Sequence, residues 1–194
     1  MSYISDILYW ISTGLLVPVI LLLILLFCRA LLLIGSFFGQ YISVRKTESQ
    51  LKEIFEDLSS DNIGNLEQQL PKKSDALVIS YIRQMLRHKG SEPHLQKLLA
   101  DFDIATQADL ATSKTLAKMG PMLGLMGTLI PMGPALVGLA AGDIASMAYN
   151  MQVAFATTVV GLFSAAIGFI TGQMKSRWYR HDSVNLQFLA DLLC

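Results

Sequence analysis

The sequence predicts an all-α membrane protein with three transmembrane helices and a helical cytoplasmic region between the first and second. Three observations carry this. Of 194 residues, 53% are hydrophobic and only 15% are charged, against roughly 25% charged in soluble domains. The apolar residues gather in two blocks, Ile11–Phe38 with Arg29 as its one charge and Met119–Met174 with Asp143 as its one charge. A helix needs about 20 apolar residues to cross roughly 30 Å of hydrocarbon, so the first block fits one span and the second fits two.

Residues 1–39 form the outer N-terminal segment and the first span. Leu and Ile surround this helix on all sides, as a lipid-facing helix requires. Its apolar run covers about 42 Å at 1.5 Å per residue, which calls for tilt or protrusion, and Pro18 is placed to bend its outer end. The start, MSYISDILYW, has an acid and no base. Basic residues follow the apolar run instead of preceding it, which favours an uncleaved anchor over a signal peptide. Tyr9 and Trp10 fall where amphipathic rings sit at a membrane interface. Arg29 reads as a side chain that snorkels to the cytoplasmic interface; the alternative is a buried pairing partner.

Residues 40–118 read as a soluble helical region. Leu51, Ile54, Phe55 and Leu58 have helical spacing. SSDNIGN (59–65) and QLPKK (69–73) are turn signals. A further helix follows through Leu77, Tyr81 and Met85 and stops at Gly90. Ser91 is a candidate N-cap, with Glu92 and Pro93 at the first helical positions. Nothing from there to Lys118 breaks a helix, so one long helix is expected to run into the second span.

Spans two (119–140) and three (146–174) differ from the first. The second contains Pro121, Pro131 and Pro134, and a stripe of low-volume residues at Gly120, Gly124, Gly127, Pro131, Ala135 and Gly138. The third has one face of Ala154, Thr158, Gly161, Ala165, Gly168 and Gly172. Low-volume stripes let helices approach closely, and Gly120-x-x-x-Gly124 has the GxxxG spacing. Gly120, Pro121, Gly124, Gly127, Gly161 and Gly168 are therefore candidate packing positions. The tail, 175–194, continues as an amphipathic helix with Leu186, Leu189 and Leu193 on one side.

Charge placement sets the topology. Residues 1–10 and the turn around Asp143 carry no Lys or Arg, whereas 40–118 and the tail carry many. The positive-inside rule puts the N-terminus outside and both the large loop and the tail in the cytoplasm. Net charge is zero, which gives no sign of a nucleic-acid partner.

Thr128 and Thr158 lie mid-span on the small-residue faces, where a hydroxyl can bond a water or a carboxyl in a polar lumen. They can equally bond back to their own helix or join two helices. Thr157 and Ser164 are further lining candidates, and Gln152 lies near the outer end. The deep parts of spans two and three hold no Asp, Glu, Lys, Arg or His. Proton transfer through a membrane normally needs such a group, so either the chain conducts no protons or a partner supplies the carboxylate. Asp143 reads as a solvated turn residue.

Enzyme readings fail. GPMLGLMGT lacks the Gly-Lys-Ser/Thr ending of a phosphate loop and follows no strand. His88, His94 and His181 have no metal-ligand spacing, and Cys28 and Cys194 have no evident disulfide partner. No cofactor or metal is expected.

PMLGLMGTL (Pro121–Leu129) and AFATTVVGLFSAAI (Ala154–Ile167) resemble the paired span signatures of the MotA/TolQ/ExbB proton-channel family, roughly Pro-x-x-Gly-Leu-x-Gly-Thr and Ala-x-x-Thr-x-x-Gly-Leu-x-x-Ala-Ile. The resemblance covers about a third of the chain and agrees with the charge-derived topology. It implies a homopentamer in the inner (cytoplasmic) membrane, enclosing two copies of a single-span ExbD/TolR/MotB-like partner that carries one membrane Asp. Proton or Na⁺ flow would drive rotation of one ring within the other, with Thr128 and Thr158 at the family's pore-lining positions. Without a partner, the small stripes would instead serve a non-conducting membrane scaffold. A stand-alone transporter is disfavoured by the absence of intramembrane charge and of an internal repeat.

Overall fold

The computed structural model describes residues 2–56, 66, 70 and 76–193. Their helices are α1 (Ser2–Gly14), α2 (Leu16–Glu56), α3 (Leu77–Arg87), α4 (Glu92–Ala140) and α5 (Ile144–Leu193). No strand occurs among the described residues. Three helical stretches, Ile7–Val44, Glu92–Ala140 and Ile144–Leu193, are long and apolar enough to cross a membrane. The protein is therefore all-α with three candidate spans. The turn signals at 59–65 and 69–73 (Leu70 excepted), Leu58 and Cys194 lie outside the described residues.

The chain divides into two compact units, Met1–Ile34 with Thr112–Gly172 and Gly35–Ala111 with Gln173–Cys194. In the first unit the helix is interrupted at Leu15, between α1 and α2, three residues before Pro18. Proline has no N–H to donate to the carbonyl four residues back, which here belongs to Gly14. The neighbouring bonds are kept: Leu15 N donates to Ile11 O (3.1 Å) and Val19 N to Leu15 O (3.1 Å). Val19 and Leu23 of α2 pack on Leu123 and Ile130 of α4. Ala30 and Leu33 pack on Leu116 of α4 and Ile167 of α5. The rest of this span is open, with Trp10, Leu21, Leu25 and Leu32 exposed, and Arg29 is exposed too.

Helices α4 and α5 meet along a seam with almost no side-chain volume. A Cβ on Gly120 would lie 2.6 Å from the Gly161 carbonyl oxygen, and one on Gly168 would lie 2.7 Å from the Ala117 nitrogen. Only glycine allows backbones this close. Helix α4 remains continuous through Pro121, Pro131 and Pro134. The turn to α5 uses Gly142 at φ +75°. Asp143 does more than sit in solvent: its Oδ1 accepts from Ser146 N at 3.0 Å, the bond of an N-cap at the start of α5.

In the second unit, α2 runs on without a break from the span to Glu56, so the segment beginning at Leu51 is a continuation and not a separate helix. Leu51, Ile79, Ile82, Met85, Leu95, Phe102, Leu186, Leu189 and Leu193 share one apolar core. The tail thus buries the leucines that its periodicity puts on one side. Gly90, at φ +83°, turns the chain between α3 and α4, and its N–H donates to Leu193 O at 3.0 Å. Ser91 directly precedes α4. Its carbonyl accepts from His94 N (3.1 Å) and Leu95 N (3.1 Å), while its hydroxyl contacts the His94 ring at 2.8 Å.

Candidate functional site

The threonines are positioned by two helix registers. Each α-helical residue turns about 100° from the last. On α4, Leu123 and Ile130 face α2, Gly120, Gly124 and Gly127 face α5, and Thr128 follows on the far side of that glycine stripe. On α5, Val160 and Ile167 face α2, Gly161 and Gly168 face α4, and Thr158 again follows on the far side. The Phe27–Phe163 ring contact, 6.1 Å between centroids, fixes the same sense of rotation. Thr128 and Thr158 therefore both lie on the side of the α4–α5 pair turned away from α2, and both are half-buried. They are not level. Gly124 approaches Thr158 and Gly127 approaches Thr157, so in this antiparallel pair Thr128 is offset from Thr158 by two to four residues, roughly 3–6 Å. Exposed Leu125, Phe155 and Leu162 lie on this side as well.

Thr157 and Ser164 have a different environment. They are 8% and 0% exposed, and a Cβ on Gly127 would lie 2.6 Å from the Thr157 hydroxyl oxygen. Both are covered by the chain's own helices.

All four hydroxyls donate within their own helix: Thr128 to Leu125 O (2.7 Å), Thr157 to Ala154 O (2.9 Å), Thr158 to Ala154 O (3.1 Å) and Ser164 to Val160 O (2.8 Å). A hydroxyl has one donor and two acceptor lone pairs. With the donor engaged, Thr128 and Thr158 can still accept a hydrogen bond from water or a protonated carboxyl. They are not free to donate one to a carboxylate. The site can therefore favour the neutral form of an incoming acid but has no acid of its own.

The profile of the MotA/TolQ/ExbB proton channel family matches residues 63–187. The chain belongs to the MotA/TolQ/ExbB proton channel family. The matched stretch includes both span motifs, Pro121–Leu129 and Ala154–Ile167. Its general function is that of this family's ion-driven membrane channels. No curated protein and no solved structure gives a significant match.

This MotA/TolQ/ExbB chain also contains a polar cluster that its sequence does not announce. In the second unit, Lys175 Nζ donates to Asp109 Oδ2 at 2.9 Å. The Tyr179 hydroxyl donates to the same oxygen at 2.6 Å, and Gln40 Nε2 donates to the Tyr179 oxygen at 3.2 Å. The Lys175 side chain is 5% exposed and that of Asp109 41%. Burial first, and then the Asp109 carboxylate, push the Tyr179 phenol well above its ordinary range. Trp178 stacks on Phe37 at 5.6 Å and 7°, and beside them opens a cavity of about 390 Å³ lined by Gln40, Ser43, Asp109, Tyr179 and Asp182. Asp109 and Lys175 are 66 residues apart, so no local pattern links them.

Proposed function

We propose that the chain is the ring-forming channel subunit of an ion-driven motor complex. Five copies, N-terminus outside and tail in the cytoplasm, enclose the spans of a smaller partner bearing one membrane Asp, with the α2 span outermost and Thr128 and Thr158 towards the lumen. The observation that carries this is the shared side of Thr128 and Thr158, away from α2, in a chain of this family. Thr157 and Ser164, buried within the chain, are assigned to helix packing instead of the lumen.

The chemistry follows from the hydroxyls. A carboxylate is far costlier than a neutral carboxyl in a low-dielectric lumen. Threonine oxygens with spare acceptor capacity stabilise the partner's Asp while it is protonated. Moving that Asp past successive subunits then alternates sites that favour the neutral acid with positions where water lets it ionise. Proton loading is thereby coupled to relative movement of the two rings. The small-residue seam of α4 and α5 supplies the rigid wall against which the partner moves.

One observation favours the scaffold reading: every candidate hydroxyl is already bonded within its own helix. Native mass spectrometry of the chain co-expressed with a neighbouring single-span Asp protein separates the two. The channel reading expects five copies of this chain bound to the partner. A monodisperse monomer, or a ring that never retains the partner, overturns it.

A further inference from the structure

We propose that copies of this chain pack head to tail through the second unit, the α5 face of Arg180, Val184 and Phe188 in one copy docking on the α4 face of Ala100, Asp103 and Ile104 in the next. The proposal rests on the ring reading and names the contact between neighbours outside the apolar blocks. Within one chain, Asp109 of α4 accepts from Lys175 and Tyr179 of α5 at 2.9 and 2.6 Å, which fixes the side of each helix that faces the other. Each residue turns the helix by about 100°. Counted from Asp109, Ala100 therefore lies about 180° round α4, with Ile104 about 140° and Asp103 about 120° away on either side. Counted from Lys175, Val184 lies about 180° round α5, with Arg180 and Phe188 about 140° away on either side. The two faces thus point away from each other on opposite sides of the α4–α5 pair. All six residues are exposed, including Ile104 at 67%, Val184 at 68% and Phe188 at 44%. Two different faces on opposite sides of a protomer can meet only heterologously, and a heterologous contact repeated by rotation closes a ring.

Height and charge match the two faces to each other. The helices run antiparallel, and Asp109 stands level with about Arg177, midway between its two donors. At about 1.5 Å per residue, Ile104 is then offset from the level of Val184 by about 3 Å, and Ala100 from that of Phe188 by about 3 Å. Asp103 is offset from Arg180 by about 4.5 Å, within the reach of an extended arginine. Rotation about an axis parallel to the helices keeps these heights, so the same offsets hold between neighbouring copies. Arg180 has no Asp or Glu three or four residues away on α5 and has Arg177 there instead, a repulsive spacing. Asp103 has no Lys or Arg at those spacings on α4. Among the described residues neither forms an ion pair within its own chain. Each supplies the charge the other lacks. Exposed Ile104 and Val184 cover one another beside that pair, and the small side chain of Ala100 leaves room for the Phe188 ring.

The test is thiol cross-linking of the full chain in membranes, in a background lacking Cys28 and Cys194. Ile104→Cys and Val184→Cys are placed on separate, differently tagged copies that are expressed together. The reagent is bifunctional and spans about 8–10 Å, the interaxial distance of packed helices. A mixed dimer carrying both tags is expected, with little product from either variant expressed alone. Adding Arg180→Glu to the Val184→Cys copy, or Asp103→Arg to the Ile104→Cys copy, should lower the yield at least about fivefold, because like charges then meet in the contact. Making both changes restores opposite charges and should recover most of the yield, which damage to the fold would not allow. Efficient cross-linking of Val184→Cys alone shows an isologous contact and overturns the proposal, as does a charge swap without recovery. Native mass spectrometry of the parent chain keeps the two readings apart. Rings of five copies without the mixed product remove this contact and leave the channel reading standing, whereas monomers remove both.

Discussion

Asp109→Asn should damage the second unit more than Lys175→Met, although the two residues form one ion pair. The asymmetry comes from their surroundings. The Lys175 side chain is 5% exposed, whereas that of Asp109 is 41% exposed. Removing the carboxylate charge leaves a buried ammonium with no compensating charge. Breaking a buried pair in this way costs about 3–5 kcal/mol, and the solvent reaching Asp109 reduces that to about 2–3 kcal/mol. Removing the lysine instead leaves a carboxylate that water can reach and that still accepts from Tyr179 at 2.6 Å. That change should cost about 1 kcal/mol or less. The double variant should resemble Lys175→Met alone, because the stranded charge is gone. Hydrogen exchange of the 76–111 and 173–193 backbone, in detergent or nanodiscs, reads this directly. Protection in Asp109→Asn should fall by roughly 30- to 150-fold, at 1.4 kcal/mol per tenfold. Equal losses in the two single variants, or a double variant whose loss is the sum of both, would show that no stranded ammonium drives the effect.

Other substitutions probe separate parts of the account. Gly161→Ala places a Cβ 2.6 Å from the Gly120 carbonyl oxygen and should cost several kcal/mol by forcing α4 and α5 apart; Gly35→Ala, with nothing within 4 Å, should melt like the parent. Tyr179 holds its proton in the folded chain where an unfolded chain has lost it. Its contribution to stability is complete below about pH 10 and declines as pH rises towards the folded value. The alkaline difference spectrum between parent and Tyr179→Phe should show this phenol still protonated above that pH, and a difference titrating near the ordinary tyrosine value would contradict it. In a background lacking Cys28 and Cys194, an impermeant thiol reagent on intact cells should label Tyr3→Cys but not Lys97→Cys. The reverse pattern would invert the proposed topology.

The architecture was legible because its signals are local. Two apolar blocks fixed three spans, and the contrast between a Leu-rich first span and a Gly-rich second marked which helices pack together. Ser91 marked the start of α4 at Glu92 for the same reason, while α3 stops at Arg87, ahead of the Gly90 expected to end it. The interruption at Leu15 was half legible: Pro18 announces it, but the missing donor affects the Gly14 carbonyl, so the break lies ahead of the residue that causes it. The threonine positions needed structure, because a stripe of small residues has two edges and a middle. Thr157 falls in the middle, where α4 covers it. Thr128 and Thr158 fall at the edge turned away from α2, and only the packing of Leu123, Ile130, Val160 and Ile167 identifies that edge. Asp109, Lys175, Tyr179 and Gln40 were not legible at all. Each reads as an ordinary surface polar residue, and they meet only because distant stretches of α2, α4 and α5 are packed in one unit.

If Thr128 and Thr158 face a lumen and act on a partner's carboxyl, ion flux depends on their hydroxyls. The direct test is ion flux in proteoliposomes holding the chain with its co-expressed Asp-bearing partner, measured for the parent and the Thr128→Val/Thr158→Val double variant at equal amounts of assembled complex. Valine keeps the shape and removes the acceptor oxygens. Assembly should be intact and flux reduced at least about tenfold, the effect of losing roughly 1.4 kcal/mol of hydrogen bonding to the neutral acid. Parental flux per assembled complex in the double variant would contradict it.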